Sequence, residues 1–222
     1  MHNEAIEDYL KTIYEIQKEK GKVATTVLAK YLSIAPASAT GMIKKLSEMN
    51  LVTHQKYQGV KLTKAGEKIA LEVIRHHRLI ESFLAEALGV PWDKVHQEAE
   101  KWEHVLSEEM EDRIDKLLGF PTIDPHGAPI PKRNGDISKK ATIRLADLQV
   151  GQSATIAEVS DLDPELLRYV GALGLFPETE IHVTNITPFE GPLEILINDE
   201  AHTIGRKAAN YILVKNVKSG ET

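Results

Sequence analysis

Residues 25–50 read TTVLAKYLSIAPASATGMIKKLSEMN, and this stretch decides the fold of the amino-terminal part of the chain. Thr25 or Thr26 can cap a short helix, because a hydroxyl oxygen accepts a hydrogen bond from the first helical turn. The SIAP segment then predicts a tight turn. Pro36 suits the first position of the next helix, which continues to about Met49. Two short helices joined by a tight turn are typical of a helix-turn-helix motif.

The segments on either side complete this motif. Residues 4–19 carry apolar side chains at three- and four-residue steps, which predicts an amphipathic helix. Residues 51–63, LVTHQKYQGVKLT, predict two short strands around a Tyr57-Gln58-Gly59 turn. Helix, helix, turn, helix and β-hairpin within about 60 residues describe a winged helix-turn-helix.

Lysines are concentrated in the same region. The chain has 222 residues and a net charge of −6, but the segment from Lys22 to Lys68 contains eight lysines and only two acidic residues. Residues 143–222, by contrast, carry six basic and twelve acidic side chains. An acidic chain with one basic segment can still bind DNA through that segment.

The helix that begins at Pro36 has the composition of a DNA recognition helix. Its small early side chains would let it lie close in a major groove, and its later lysines suit phosphate contacts. A solvated surface helix is the alternative interpretation. The candidate DNA contacts are Thr25, Thr26, Pro36, Ala37, Ser38, Thr40, Lys44, Lys45, Lys56 and Tyr57.

The middle of the chain is predicted to be helical. A long helix runs from about Lys64 to Leu88, and further helices begin near Pro91 and after Ser107. The apolar residues of this region are too many for a few short helices to enclose. The pattern therefore predicts a self-association face.

The rest of the chain changes character at residue 121. Residues 121–142 contain four prolines and two glycines, which predicts an irregular connector. From Ile143 alternating apolar segments predict short strands, interrupted by a helix at about 164–173, as in a small SH3-like barrel.

The predicted fold is multidomain and mainly α, with a small β domain. The predicted domains are a winged helix-turn-helix at 1–73, a helical domain with a Pro-rich connector at 74–142, and an SH3-like domain at 143–222.

The segment HQEAEKWEHV, residues 96–105, gathers potential metal ligands. They are His96, Glu100, Glu103 and His104. On a continuous helix, where each residue advances about 100°, these four fall within an arc of about 100°. A solvated charged face is the alternative, but crowded carboxylates cost energy unless a cation compensates. Trp102 and Val105 are interpreted as core residues.

Three more candidate ligands lie upstream. His77 and Glu81 share one face of the long helix, and Asp8 lies on the first helix. A metallohydrolase is the alternative of another class, and it needs a general base beside an open metal position. No HExxH surrounds His77, and the chain has no GxSxG or P-loop, so we expect a protein that is not an enzyme.

Two features bear on localisation. The chain has no cysteine, which excludes disulfides and thiolate ligands. No apolar run approaches a membrane span, and the amino terminus lacks the features of a signal peptide. We therefore expect a cytoplasmic protein that does not bind membranes.

Several stretches together resemble the diphtheria toxin repressor and manganese transport regulator family of metal-dependent bacterial repressors. They are EDYLKTIY, LAKYLSIAPASATGMIKKL, GVKLTKAGEKIA, VIRHHRLIESFL, KVHQEAEKWEHVLSEEMEDRI and PHGAPIP. LLRYVGALGLFPETEIHV resembles the SH3-like domain of the longer members. The resemblance implies a homodimer whose helical domain binds metal and dimerises, and which represses metal-uptake genes at a palindromic operator.

The resemblance also implies two metal sites. The primary site corresponds to Asp8, Glu100, Glu103 and His104. The secondary site corresponds to His77, Glu81, Asp124 and His126, with His96, Asp161 and Asp163 as possible further ligands. Some members carry a cysteine at the position of Asp124.

The ligand types favour Mn²⁺ as the cofactor over Fe²⁺, the alternative. The iron-sensing branch of the family has sulfur-containing side chains at the positions of Asp8 and Glu100, whereas oxygen-rich sites suit harder cations such as Mn²⁺. Shorter manganese regulators have an acid at the position of Lys11. A protonated lysine cannot bind metal, so the resemblance does not extend to a two-metal cluster there.

Overall fold

The computed structural model describes residues 4–55, 59–138 and 141–219. The helices are α1 (Glu4–Lys20), α2 (Thr25–Tyr31), α3 (Pro36–Glu48), α4 (Lys64–Glu86), α5 (Val95–Trp102), α6 (Glu108–Leu117), α7 (Pro164–Ala172) and α8 (Arg206–Ala209). The chain forms two compact units, one of residues 1–77, 101–108 and 131–136, the other of 78–100, 109–130 and 137–222. Across the described ranges, no helix combines the length and apolar character needed to cross a membrane.

The first unit contains the winged helix-turn-helix. Helices α1, α2 and α3 precede an antiparallel hairpin of β1 (Val52–Gln55) and β2 (Gly59–Leu62). Its core holds fully buried side chains from α1, α2 and α3, among them Leu10, Leu28 and Leu46. The predicted motif is therefore confirmed.

One local prediction for this motif is wrong. Neither Thr25 nor Thr26 caps α2, because the helix already begins at Thr25 and its N-cap is Ala24, which makes no side-chain hydrogen bond. Thr25 thus occupies the first helical turn. The α3 prediction fits better: Pro36 is its first residue.

Helix α5 is shorter than predicted at both ends. It begins at Val95 rather than near Pro91, and it ends at Trp102. Glu103 and His104 therefore lie in the turn that follows, and the assumption of one helical face through His104 is wrong. Trp102 and Val105 are not core residues in this chain, because 41% and 73% of their surfaces are exposed.

The second unit contains the carboxy-terminal sheet. Its strands are β3 (Ile143–Arg144), β4 (Gln152–Val159), β5 (Glu180–Ile186), β6 (Leu193–Ile197), β7 (Glu200–Ile204) and β8 (Ile212–Ser219). All neighbours pair antiparallel in the order β3-β8-β4-β5-β6-β7. Apolar side chains of the sheet and of α7 form one core, and Trp92 packs against it.

The proline-rich connector packs closely on this sheet. Gly127 has a φ of +90°, and a Cβ there would lie 2.1 Å from the carbonyl oxygen of Ala157 in β4. Only glycine permits this approach without distortion. The amide of Val159 donates to the carbonyl of His126 at 2.9 Å, so the connector is fixed to β4.

Candidate metal centres

The first cluster joins α1 to the turn after α5, within the first unit. Nε2 of His104 lies 2.8 Å from Oδ1 of Asp8 and 3.5 Å from Oε1 of Glu103. One ligand atom from each residue falls within 4.8 Å of the other two. Two carboxylate oxygens and one imidazole nitrogen form a donor set that suits a divalent cation such as Mn²⁺.

The structure adds Glu7, which the sequence did not indicate. Its Oε2 lies 2.6 Å from Nδ1 of His104. A carboxylate on the second ring nitrogen is the usual partner of a metal-binding histidine, because it fixes the ring and leaves Nε2 as the ligand. Glu7, Glu103 and His104 also line a cavity of about 460 Å³.

Neighbouring charges and burial act in opposite directions on the pKa values of Glu103 and His104 in the first cluster. Burial alone would raise the pKa of Glu103, but contacts with His77 and Lys11 hold it below its ordinary value. Burial would lower the pKa of His104, whereas the hydrogen bond with Glu7 and the charges of the nearby carboxylates raise it. Glu103 is thus ionised at neutral pH.

The second cluster lies in the second unit and combines a helix, the connector and the carboxy-terminal domain. Nδ1 of His96 lies 3.4 Å from Oε1 of Glu81 and 3.3 Å from Oδ2 of Asp161. Oε1 of Glu81 is also 3.7 Å from Nδ1 of His126. The ligand atoms of Glu81, Asp124 and His126 lie within 4.8 Å of one another, and all three residues are buried.

The connector orients Asp124 and His126 toward this cluster. Oδ1 of Asp124 accepts hydrogen bonds from the amides of His126 and Ala128, at 2.8 and 3.0 Å. Nε2 of His126 lies 2.8 Å from the carbonyl oxygen of Trp92, to which it donates. Oδ2 of Asp124 and Nδ1 of His126 are left buried without a hydrogen bond. Nε of Arg78 lies 3.4 Å from Oδ2 of Asp124. Buried polar atoms are usually paired, and ligand atoms of Asp124 and His126 lie within 4.8 Å of each other, an arrangement that fits a cation.

The pKa values of three ionisable groups in the second cluster lie well above their ordinary values. Burial would lower the pKa of His96, but Asp161 and Glu81 raise it to about 10. Burial likewise opposes protonation of His126, while Glu81 and other carboxylates raise its pKa to about 9. Burial and the charge of Glu81 raise the pKa of Asp124 to about 7, although Arg78 opposes this.

The remaining candidate ligands lie as follows. His77 belongs to the first unit, where its Nδ1 contacts Glu103. Glu100 belongs to the second unit, where its Oε1 lies 3.8 Å from Nε2 of His96. Asp163 caps α7, since its Oδ1 accepts from the amides of Glu165 and Leu166. Of the two aspartates considered as ligands, Asp161 is therefore the one beside His96.

Most of the candidate DNA contacts are exposed in the first unit. The exposed residues among them are Thr26, Pro36, Ala37, Ser38, Thr40, Lys44 and Lys45, and Thr25 is half-buried. The hydroxyl of Thr40 donates to the carbonyl of Pro36 at 2.8 Å, so its oxygen remains an acceptor toward solvent. Lys56 and Tyr57 lie outside the described residues.

Comparison with known proteins agrees with this arrangement. Residues 1–60 match the model of the iron-dependent repressor N-terminal DNA-binding domain. Residues 63–132 match its metal-binding and dimerisation domain, and residues 143–216 match the FeoA domain. The three matches cover in turn the winged motif, the candidate ligands of the helical region and the sheet.

Individual relatives extend the match to nearly the whole chain. The diphtheria toxin repressor of Corynebacterium jeikeium is 33% identical over 162 residues, which are 71% of this chain and 68% of that repressor. This chain belongs to the diphtheria toxin repressor family. The iron-dependent repressor IdeR of Mycobacterium tuberculosis is 28% identical over 225 residues, covering 95% of this chain and 96% of IdeR.

A solved member of the diphtheria toxin repressor family has the same fold. It is a manganese-dependent transcriptional repressor in complex with manganese, with a TM-score of 0.89 and 37% identity over 95% of this chain and 99% of that chain. As a member of the family, the chain is a metal-dependent, DNA-binding transcriptional repressor.

Proposed function

We propose that this chain is a homodimeric repressor that Mn²⁺ activates and that controls genes of metal uptake. One observation carries the proposal: Asp8, Glu103 and His104 bring two oxygens and one nitrogen within 4.8 Å of one another. Oxygen-rich donor sets suit Mn²⁺ better than the softer metals that sulfur ligands select. The family relationship supplies the repressor function and the dimerisation domain.

Both clusters are proposed as metal sites. Within the first unit the primary site comprises Asp8, Glu103 and His104, and within the second unit the secondary site comprises Glu81, Asp124, His126, His96 and Asp161. The two buried atoms without hydrogen bonds, Oδ2 of Asp124 and Nδ1 of His126, support the secondary site. Asp161 would make the carboxy-terminal domain part of it.

Helix α1 would transmit the state of the first cluster to the DNA-binding surface. Asp8 is half exposed on α1, while Leu10, Ile13 and Ile16 of the same helix are fully buried in the winged core. A restraint on Asp8 is therefore a restraint on the whole motif. When bound, a divalent cation supplies positive charge that offsets Asp8 and Glu103 and ties α1 to the turn after α5.

This restraint explains activation in a dimer. Two recognition helices must be held about 34 Å apart to enter successive major grooves of a palindromic operator. Coupling between such sites is typically about 1–3 kcal/mol, which would strengthen operator binding roughly 5–150-fold. Operator DNA would strengthen metal binding by the same factor, because coupling is reciprocal.

Fe²⁺ is the second candidate activator. The observation in its favour is the full-length similarity to IdeR, which is named as an iron-dependent repressor. Against it stand the oxygen donors of Asp8 and Glu100, which take the positions where the iron-sensing branch of the family has sulfur-containing side chains.

Operator binding measured by fluorescence anisotropy would test the proposed activator. The protein is titrated anaerobically with Mn²⁺, Fe²⁺ and Zn²⁺ in turn, and bound ions per subunit are counted in parallel. Because Mn²⁺ generally binds a given site more weakly than Fe²⁺, the activating concentration of each metal is compared with the free concentration of that metal in the cell. We expect Mn²⁺ to raise operator affinity within its cellular range, whereas activation by Fe²⁺ within its own range, and not by Mn²⁺, would instead support the iron sensor.

The three domains, at 1–73, 74–142 and 143–222, are proposed as the functional division of the chain. We also propose that it acts in the cytoplasm without binding membranes, and that it has no catalytic activity. A hydrolase screen with Mn²⁺ beside the anisotropy titration tests the last point: turnover with no metal-dependent DNA binding would contradict the repressor proposal.

Lys44→Ala is expected to weaken DNA binding by a similar factor for every sequence. Lys44 is exposed on α3, where its Nζ lies 4.0 Å from Oε1 of Glu48, a weak surface pair. Loss of one phosphate contact should reduce the slope of log affinity against log salt by about 1. Operator and random DNA are titrated at several salt concentrations, and an unchanged slope would remove Lys44 from the phosphate contacts.

A further inference from the structure

The side chain of Lys11 reaches into the first metal cluster. Its Nζ donates to Oε1 of Glu103 at 3.0 Å and to Oε2 at 2.8 Å. Nδ1 of His77 lies 3.2 Å from the same Nζ. Only 9% of the Lys11 side chain is exposed, and that of Glu103 is fully buried. A lysine ammonium is seldom buried to this extent unless it is paired.

This ammonium compensates the charge of the cluster when no metal is bound. Glu7, Asp8 and Glu103 bring three carboxylates to His104. A buried carboxylate without a cationic partner is strongly destabilising. Lys11 supplies that partner to Glu103, so the donor set can persist in the metal-free protein.

The same ammonium must also oppose metal binding. Oε1 of Glu103 accepts from Lys11 and also lies 3.5 Å from Nε2 of His104, the ring nitrogen next to Asp8. A cation held by Asp8, Glu103 and His104 would therefore share the Glu103 carboxylate with the ammonium. Like charges around one buried carboxylate repel, and screening there is weaker than in water.

We propose that Lys11 sets the metal affinity of the first cluster: its fixed positive charge holds Glu103 ready and raises the free metal concentration needed to fill the site. The proposal rests on the proposed metal site of Asp8, Glu103 and His104. It makes Lys11 a determinant of the sensor's threshold, even though the residue itself cannot bind the ion.

The proposed role of Lys11 and a purely structural role predict opposite changes in metal affinity when the lysine is replaced. If Lys11 only anchored Glu103, its loss would loosen a ligand and weaken metal binding. If its charge opposes the ion, its loss leaves the site one unit more negative and strengthens metal binding. The direction of the change in affinity therefore separates the two roles.

The test is a Mn²⁺ titration of the full chain, with free Mn²⁺ measured by its electron paramagnetic resonance signal. Lys11→Met removes the charge at similar length, and Lys11→Gln removes the charge but keeps a hydrogen-bond donor. Lys64→Met, at an exposed position of α4, controls for loss of a lysine charge elsewhere in the first unit. Asp8→Asn identifies which class of bound ions belongs to the first cluster.

We expect both neutral Lys11 variants to bind Mn²⁺ at the first cluster about ten- to a hundredfold more tightly than the parent chain does. The reason is that removing the nearby ammonium removes a charge repulsion that is felt at an effective dielectric constant of about 20. The Lys64→Met affinity should match the parent. Lys11→Gln serves alone if Lys11→Met does not fold. Equal or weaker binding in the neutral variants would overturn the proposal.

Thermal unfolding supplies a second measurement that needs no DNA. Metal-free Lys11→Met should unfold at a lower temperature than the parent, and excess Mn²⁺ should raise its midpoint by more than it raises that of the parent. An equal Mn²⁺-induced shift in both proteins would contradict the proposed role of Lys11. If Asp8→Asn removes no bound ion, the proposed metal site itself fails, whatever Lys11 does.

Discussion

Glu103→Gln is expected to abolish the activation of operator binding by Mn²⁺ while leaving the fold intact. The metal-induced gain in affinity, roughly 5–150-fold in the parent chain, should fall below about twofold. Operator affinity without metal should change little. Anisotropy titrations with and without Mn²⁺ measure both quantities on the same protein.

The size of this effect follows from the position of Glu103. Its carboxylate is fully buried, and it is the one group of the first cluster that contacts both His77 and Lys11 while also facing His104. A neutral amide binds a hard cation far less well than a carboxylate does. Gln keeps an oxygen that can accept from Lys11, so the buried ammonium retains a neutral partner.

Two controls separate a lost metal site from a damaged fold. Glu108→Gln makes the same chemical change at an exposed position of the first unit and should leave the Mn²⁺ response intact. Far-ultraviolet circular dichroism and thermal unfolding compare the folds. A normal Mn²⁺ response in Glu103→Gln, with the same number of bound ions, would rule out Glu103 as a ligand.

Local patterns in the sequence were sufficient to predict the winged helix-turn-helix of the first unit. Helix period, Pro36 and the hairpin around Gly59 all act over a few residues, and the structure has α3 and the β1–β2 pairing where they predict them. The end of α5 was not predictable in the same way. Glu103 and His104 continue a favourable helical spacing, yet they lie in a turn that brings them to α1.

The partners of the ligands depend on contacts that no local pattern contains. Glu7 and His104 are 97 positions apart, and Lys11 and Glu103 are 92 apart. The sequence indicated which residues have metal-binding chemistry, because imidazoles and carboxylates gather within residues 96–104. It did not indicate the second carboxylate on His104 or the ammonium on Glu103, because such pairs form only when the chain is folded.

Mn²⁺ affinity at the second cluster is expected to rise steeply with pH. Without metal, the pKa of His96 is about 10 and that of His126 is about 9, so both rings are protonated at neutral pH. A histidine must lose this proton to bind a metal. Below these pKa values, affinity should increase about tenfold per pH unit for each histidine that becomes a ligand, and about a hundredfold if both do.

The stability of the metal-free protein should fall as pH rises, whereas its affinity for Mn²⁺ rises. A histidine whose pKa is raised by folding, here from the ordinary 6.5 to about 9 or 10, stabilises the fold fully below about pH 6.5. That contribution is lost as pH rises through 9 to 10. The midpoint shift on adding Mn²⁺ should therefore be larger at pH 8 than at pH 6, because stability falls while metal affinity rises.

Calorimetric titration of the Asp8→Asn variant isolates the second cluster and counts its protons. Mn²⁺ is added in two buffers with different heats of ionisation, and the difference in apparent enthalpy gives the protons released per ion. We expect between one and two near neutral pH, together with the steep dependence of affinity on pH. His126→Gln should reduce the release by about one, because Nδ1 of His126 is aimed at Glu81 while Nε2 is already committed to Trp92. Release of no more than about half a proton at pH 7, which is what Asp124 with its pKa of about 7 can supply, would mean that neither imidazole is a ligand and that the carboxylates of Glu81, Asp124 and Asp161 hold the ion alone.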